Sequence, residues 1–132
     1  MPDKSPAAKM RLRPNMTAAL LHMPTDLRDR LGIPDGVVFV DDPADAGFVL
    51  DVVTTQAEAE ATLTRLAPHV SSATLAWLAY PKGSKAAGHD LSRDTVWRSA
   101  RTVSLTLVAN VSIDETWSAL RMRPAEGALE DR

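Results

Sequence analysis

Thr74-Leu75-Ala76-Trp77-Leu78-Ala79 is the stretch on which the fold turns. After Thr74 it is continuously apolar, with no polar position breaking the run. A strand of that kind has no solvated face, which marks a central strand covered by helices above and below.

The chain on the amino-terminal side supplies partners for it. Thr55-Gln56-Ala57-Glu58 has the form of a capping box, with a hydroxyl and a carboxylate three residues apart. The helix that follows places Ala59, Leu63, Leu66 and Ala67 on one face, and Pro68 closes it. Gly47–Val53 reads as a strand, as does Val37–Val40 after the Pro34-Asp35-Gly36 turn. Thr17–His22 is a short buried strand bounded by Asn15 and Pro24. Thr25 is the expected N-cap of a short helix, Asp26–Leu31, that stops at Gly32.

On the carboxyl-terminal side, Asp90 or Ser92 caps a helix running to about Ala100. Leu105–Ile113 and Trp117–Arg123 then form two strands joined by a tight turn at Asp114-Glu115. In the last strand Trp117, Ala119 and Arg121 face one way, and Ser118, Leu120 and Met122 the other. Strands alternating with helices imply an α/β fold. The expectation is a Rossmann-like three-layer sandwich with a mainly parallel sheet of about six strands and a C-terminal antiparallel hairpin. Residues 10–123 form the single domain, and 1–9 and 124–132 are expected to be flexible tails.

Composition narrows the functions. A chain of 132 residues with 45% hydrophobic content can bury a real core. The absence of cysteine excludes a disulfide framework, a thiolate zinc site, an iron–sulfur cluster and a Cys nucleophile. Lys4, Lys9, Arg11 and Arg13 are followed by no apolar segment of the signal-peptide type, and no apolar run is long enough to span a bilayer. A cytoplasmic protein without membrane contact is the expectation. Net charge of −2 argues against a general nucleic-acid binder. The charge is uneven: residues 32–64 hold seven acids and no Lys or Arg, whereas residues 82–101 hold five bases against Asp90 and Asp94.

Ligands of an open parallel sheet bind outside the carboxyl ends of its strands. Topology brings two distant segments to that edge: the Lys82–Asp90 loop and the hairpin tip, Ser112–Trp117. The loop offers Lys82, Ser84 and Lys85 around Gly83 and leads into a helix, a setting that suits an anion. It is not a P-loop, which needs a longer glycine-rich turn. Arg93 gains nothing from the helix dipole in its first turn, so it is expected to pair with Asp90, Asp114 or a ligand. Trp97 is expected in the core. The candidate ligand-binding set is Lys82, Ser84, Lys85, Asp90, Arg93 and Asp114, with Trp117 framing the pocket and packing beside it.

Catalytic chemistry is harder to build. His22, His69 and His89 are dispersed and lack metal-ligand spacing, so no metal is assigned. Ser84, His89 and Asp114 could be written as a triad, but no nucleophile elbow supports it, and no catalytic residue is assigned. The first strand leads into His22-Met23-Pro24-Thr25 rather than a G-x-G-x-x-G turn. A dinucleotide or adenosylmethionine site of the usual kind is therefore not expected, and no cofactor is assigned.

Tyr80-Pro-Lys-Gly-Ser-Lys85, Asp90-Leu-Ser-Arg-Asp94 with Trp97, and Val111-Ser-Ile-Asp-Glu-Thr-Trp-Ser-Ala-Leu-Arg121 together resemble a family of small bacterial proteins catalogued as domain of unknown function 3052. The resemblance covers roughly residues 9–123. It implies a sheet like that of adenosylmethionine-dependent methyltransferases, trimmed of the cofactor loop, and brings no activity with it. Where the family has a glycine near its start, this chain has Asn15.

Three readings follow. The first is a non-enzymatic binding or regulatory module that takes a small anionic ligand or a protein partner at the carboxyl edge. The second is a degenerate or minimal methyltransferase-like enzyme at the same edge. The third is a structural module forming a homodimer.

Overall fold

A computed structural model describes residues 5–71, 73–82 and 91–125. The chain runs α1 (Pro6–Lys9), β1 (Thr17–Leu21), α2 (Thr25–Arg30), β2 (Val38–Phe39), β3 (Phe48–Val52), α3 (Gln56–Leu66), β4 (Leu75–Pro81), α4 (Arg93–Thr102), β5 (Leu105–Ser112) and β6 (Trp117–Pro124). The strands form one six-stranded sheet in the order β2-β1-β3-β4-β6-β5. β1 to β4 pair in parallel, and β6 pairs antiparallel with both β4 and β5. This is the expected Rossmann-like α/β sandwich.

Helices cover both faces of the sheet. On one face Ala7, Met10, Leu12 and Leu27 pack against Phe48, Leu50 and Trp77. On the other, Ala59, Leu63 and Leu66 of α3 and Val96 and Ala100 of α4 pack against Val49, Leu78, Leu120 and Met122. Each fully buried Leu, Met or Phe contributes about 1.5–3 kcal/mol relative to an exposed one. β4 is buried from Leu75 to Ala79, as its unbroken apolar run requires.

Several local readings change. Residues 6–9, expected in a tail, form a helical turn whose Ala7 is buried, and its amide donates to Leu31 O at 2.9 Å. At the other end β6 continues through Pro124, and Ala125 is buried. Thr25 is the first residue of α2 rather than its cap; the cap position is Pro24, with no side-chain hydrogen bond. Ser92, not Asp90, caps α4, and the cap is reciprocal with Thr95. Asp90 itself lies outside the described residues.

β5 shares the direction of β4, which brings the hairpin tip to the carboxyl edge, but among the described residues β5 pairs with the antiparallel β6 alone, which inserts between β4 and β5. β6 thus has both faces covered, with Ala119 on one side and Leu120 and Met122 on the other.

Gly32 adopts φ +68°, and a Cβ there would lie 2.7 Å from Ser5 Cβ, so α1 sits directly against the end of α2. Asn15, where the resembling family has glycine, also lies in the left-handed region at φ +69°. Asn tolerates that conformation better than most residues.

Candidate functional site

The sheet reverses its strand order between β1 and β3: from β1 the chain moves outward to β2, and then returns to place β3 on the other side. A crevice opens outside the carboxyl ends of strands at such a switch point. Here it is a pocket of about 360 Å³ lined by His22, Pro24, Val52 to Thr54, Glu58, Ala61, Thr62, Arg65 and Trp117. That volume suits a small molecule.

The pocket is built on Asp51. This carboxylate sits within the apolar run of β3 and is fully buried, with 0% exposure. A buried charge needs partners, and Asp51 has three. Its Oδ1 lies 2.7 Å from His22 Nδ1. Its Oδ2 accepts from Thr62 Oγ1 at 3.1 Å and from Arg65 Nη2. Thr62 and Arg65 are three residues apart on α3, so one helix face delivers both.

The Asp51 oxygen accepts, so His22 Nδ1 carries the hydrogen in that bond and the imidazole presents Nε2 elsewhere. The His22 side chain is 62% exposed and lines the pocket. Its backbone is at φ +54°, left-handed for a non-glycine residue. Such conformations cost about 1–3 kcal/mol and gather at functional sites.

Glu58 lies on the pocket wall. Its carboxylate accepts from Thr54 N at 2.7 Å and from Thr54 Oγ1 at 3.1 Å. The carboxylate thus reaches beyond Thr55 to Thr54, and Thr55 Oγ1 accepts from Glu58 N as expected. The Thr54 amide first, then the Thr54 hydroxyl, the Thr55 amide and the His22 charge hold the Glu58 pKa below its ordinary value against the opposing effect of burial. At the wall the His22 imidazole, the Glu58 carboxylate and the Arg65 guanidinium are the polar groups a ligand meets, and Asp51 is sealed behind them. Both pocket hydroxyls, Thr54 and Thr62, donate to carboxylates. The arrangement can hold a hydrogen-bonding ligand between His22 and Glu58. It offers no metal cluster among the described residues.

The residues singled out in the sequence fall differently. Ser84, Lys85, Asp90 and His89 lie outside the described residues. Lys82 and the hairpin tip do converge: Lys82 N donates to Thr116 O at 2.7 Å, and Lys82 Nζ donates to Ser112 Oγ. The Lys82 ammonium is thus already engaged by the hairpin. Asp114 pairs with Arg30 Nη1 at 2.8 Å, not with Arg93. Its other oxygen accepts from Thr116 N at 2.7 Å and Trp117 N at 2.8 Å, which makes it the structural residue of the turn. Arg93 is exposed at the start of α4, near Tyr80. Burial raises the Tyr80 pKa, and the Arg93 charge opposes that rise. Among the described residues of the candidate set, Trp117 alone lines the pocket, where it also packs against the core. Trp97, expected in the core, is 45% exposed and carries Arg101 over its ring at 5.6 Å. Trp77 is the tryptophan that fills the interior.

Asp51, Thr62, Arg65 and Glu58 were not singled out as site residues. One signal was present: a lone carboxylate inside Phe48-Val-Leu-Asp-Val-Val53 must be buried and partnered. Its partners, at 29 residues before it and 11 and 14 residues after it, are set by tertiary structure.

No family model and no curated protein matches the sequence. Solved structures with similar folds exist at low identity. A point mutant of MtNAS aligns with a TM-score of 0.52 at 14% identity, over 90% of this chain and 57% of that chain. Magnesium protoporphyrin IX methyltransferase (ChlM) from Synechocystis PCC 6803 with bound SAM aligns with a TM-score of 0.48 at 12% identity, over 90% of this chain and 74% of that chain. LepI in complex with SAM aligns at 0.47 and 11% identity, over 89% of this chain and 38% of that chain. The chain spans little more than half of the MtNAS chain and well under half of the LepI chain. The likeness is one of fold.

Proposed function

We propose that this domain is a methyltransferase-like module that binds a small, hydrogen-bonding molecule in the crevice between β1 and β3. The observation that carries the reading is the pocket at the switch point, walled by an imidazole that a fully buried carboxylate holds in place. His22 is the group offered to the ligand, and Asp51 is its positioning residue. Glu58 adds a second acceptor at the wall. The reading follows the enzyme-like alternative in its architecture.

Adenosylmethionine is bound in two of the structures that align with this chain. The residues here do not assemble its usual site. No glycine turn follows β1, and His22 occupies the left-handed position where glycine would let a backbone approach a ligand. Asp41 and Asp42 after β2 stand near where an acid would meet a ribose, but Asp42 Oδ1 already accepts from Ala44 N at 2.9 Å. No methyl-transfer step is therefore assigned.

A fragment screen read by amide and imidazole resonances tests the proposal, with adenosylmethionine and adenosylhomocysteine included as probes. Amine- and hydroxyl-bearing fragments should shift His22, Thr54 and Arg65, and the shifts should vanish in His22→Ala. Hits that map away from these residues, or persist unchanged in His22→Ala, would overturn it. Saturable binding of adenosylhomocysteine at His22 would restore a nucleoside ligand despite the missing turn.

A further inference from the structure

The opposite, amino-terminal edge of the sheet carries a second cluster. Arg11 and Arg13 follow α1 and line a cleft of about 540 Å³ with Ala8, Met16, Ala73 and Leu75. Met16 precedes β1 and Leu75 begins β4, so the cleft lies under the amino ends of the strands. β6 delivers two more arginines to this region. Arg121 pairs with Trp77 across β4, and Arg123 follows Met122, the partner of Ala76.

None of these four guanidinium groups meets a carboxylate among the described residues, where the ion pairs are those of Asp51 and Asp114. Two buried donors at the same place lack acceptors: Arg121 Nε and, directly cross-strand, Trp77 Nε1. Buried donors in native proteins ordinarily have partners. Burial, and then the charges of Arg11 and Arg123, hold the Arg121 pKa below its ordinary value, so the cations repel one another as they stand. Arg11 is also at φ +71°, at the end of α1 where glycine is usual. A cluster like this is not a by-product of composition, because the chain is net acidic.

We propose that this amino-edge cluster is a second binding site, for a phosphate-bearing small molecule. A multiply charged oxyanion supplies acceptors to several guanidinium forks at once and removes their mutual repulsion. A single carboxylate would leave most of the cluster uncompensated. The site is independent of the β1/β3 pocket, which lies at the other end of the strands.

The test is a titration of the full chain with inorganic pyrophosphate, followed by side-chain N–H resonances. The Arg121 Nε–H and Trp77 indole N–H signals should shift saturably, while the indole signals of Trp97 and Trp117 stay in place. Arg11→Gln and Arg123→Gln replace exposed side chains. Each should weaken binding by about tenfold, the loss expected for one charge-assisted hydrogen bond. Sodium chloride at matched ionic strength should reproduce none of this. Stationary Arg121 and Trp77 signals, or unchanged affinity in both variants, would sink the proposal. An oligonucleotide that binds far more tightly than pyrophosphate, and loses affinity in the same variants, would replace it with a nucleic-acid surface.

Discussion

At the residue scale, Asp51 governs the site. Its burial is complete, so its partners set whether the charge is tolerated. Arg65→Met removes the cationic partner and leaves a buried carboxylate short of a donor, which should cost about 1–3 kcal/mol or more in urea unfolding at neutral pH. Thr62→Val should cost less, because the Arg65 and His22 bonds remain. Equal stability of Arg65→Met and wild type would show that the Asp51 network is not what holds the crevice wall. The two contrasting tryptophans provide a second residue-scale test. Trp77→Ala should cost about 3–5 kcal/mol, and Trp97→Ala, on an exposed helix face, well under that. The order of their unfolding midpoints checks the assignment of core and surface.

At the element scale, the β5–β6 hairpin tip depends on Asp114. Burial alone would raise its pKa, but the Arg30 hydrogen bond, the Thr116 and Trp117 amides and the Arg30 charge together hold it below its ordinary value. Glu58 at the start of α3 is also lowered. For a carboxylate whose folded pKa is depressed, the stabilisation is fully present above the unfolded pKa, near 4. It is lost as pH falls through the lower folded value. Unfolding midpoints should therefore decline with acidification below about pH 4, and Asp114→Asn should flatten part of that decline. An identical pH profile for the variant would remove Asp114 from the account. The α4 cap is separable from this: Ser92→Ala should cost about 1 kcal/mol through loss of the bond to Thr95 N.

At the scale of the whole molecule, the insertion of β6 between β4 and β5 makes the sheet one unit. β6 has both faces buried, and Met10 and Leu12, beside α1, close the face that carries Ala119. Met10→Ala should therefore destabilise the protein as a core substitution does, by about 2–5 kcal/mol, rather than as a change in a tail. Thermal or urea unfolding checks it, and an unaltered midpoint would return residues 5–10 to the status of a loose extension.

Periodicity and turn chemistry were legible without the fold. The unbroken run Leu75–Ala79, the helical spacing of Ala59, Leu63 and Leu66, and the stop at Gly32 all follow from near-neighbour physics. So the sequence alone determined the α/β class, the parallel sheet and its C-terminal hairpin. It also placed Lys82 beside the hairpin tip, because strand direction requires it. Long-range packing decided the rest. Whether β5 or β6 lies against β4 depends on which strand buries two apolar faces, and Ala119, Leu120 and Met122 settle that only in three dimensions. Asp114 could have met Arg93, yet the tertiary approach of α2 gave it Arg30. The site itself formed where His22, Asp51 and Arg65 meet, residues separated along the chain and joined because a buried carboxylate accepts whatever donors the fold brings within reach.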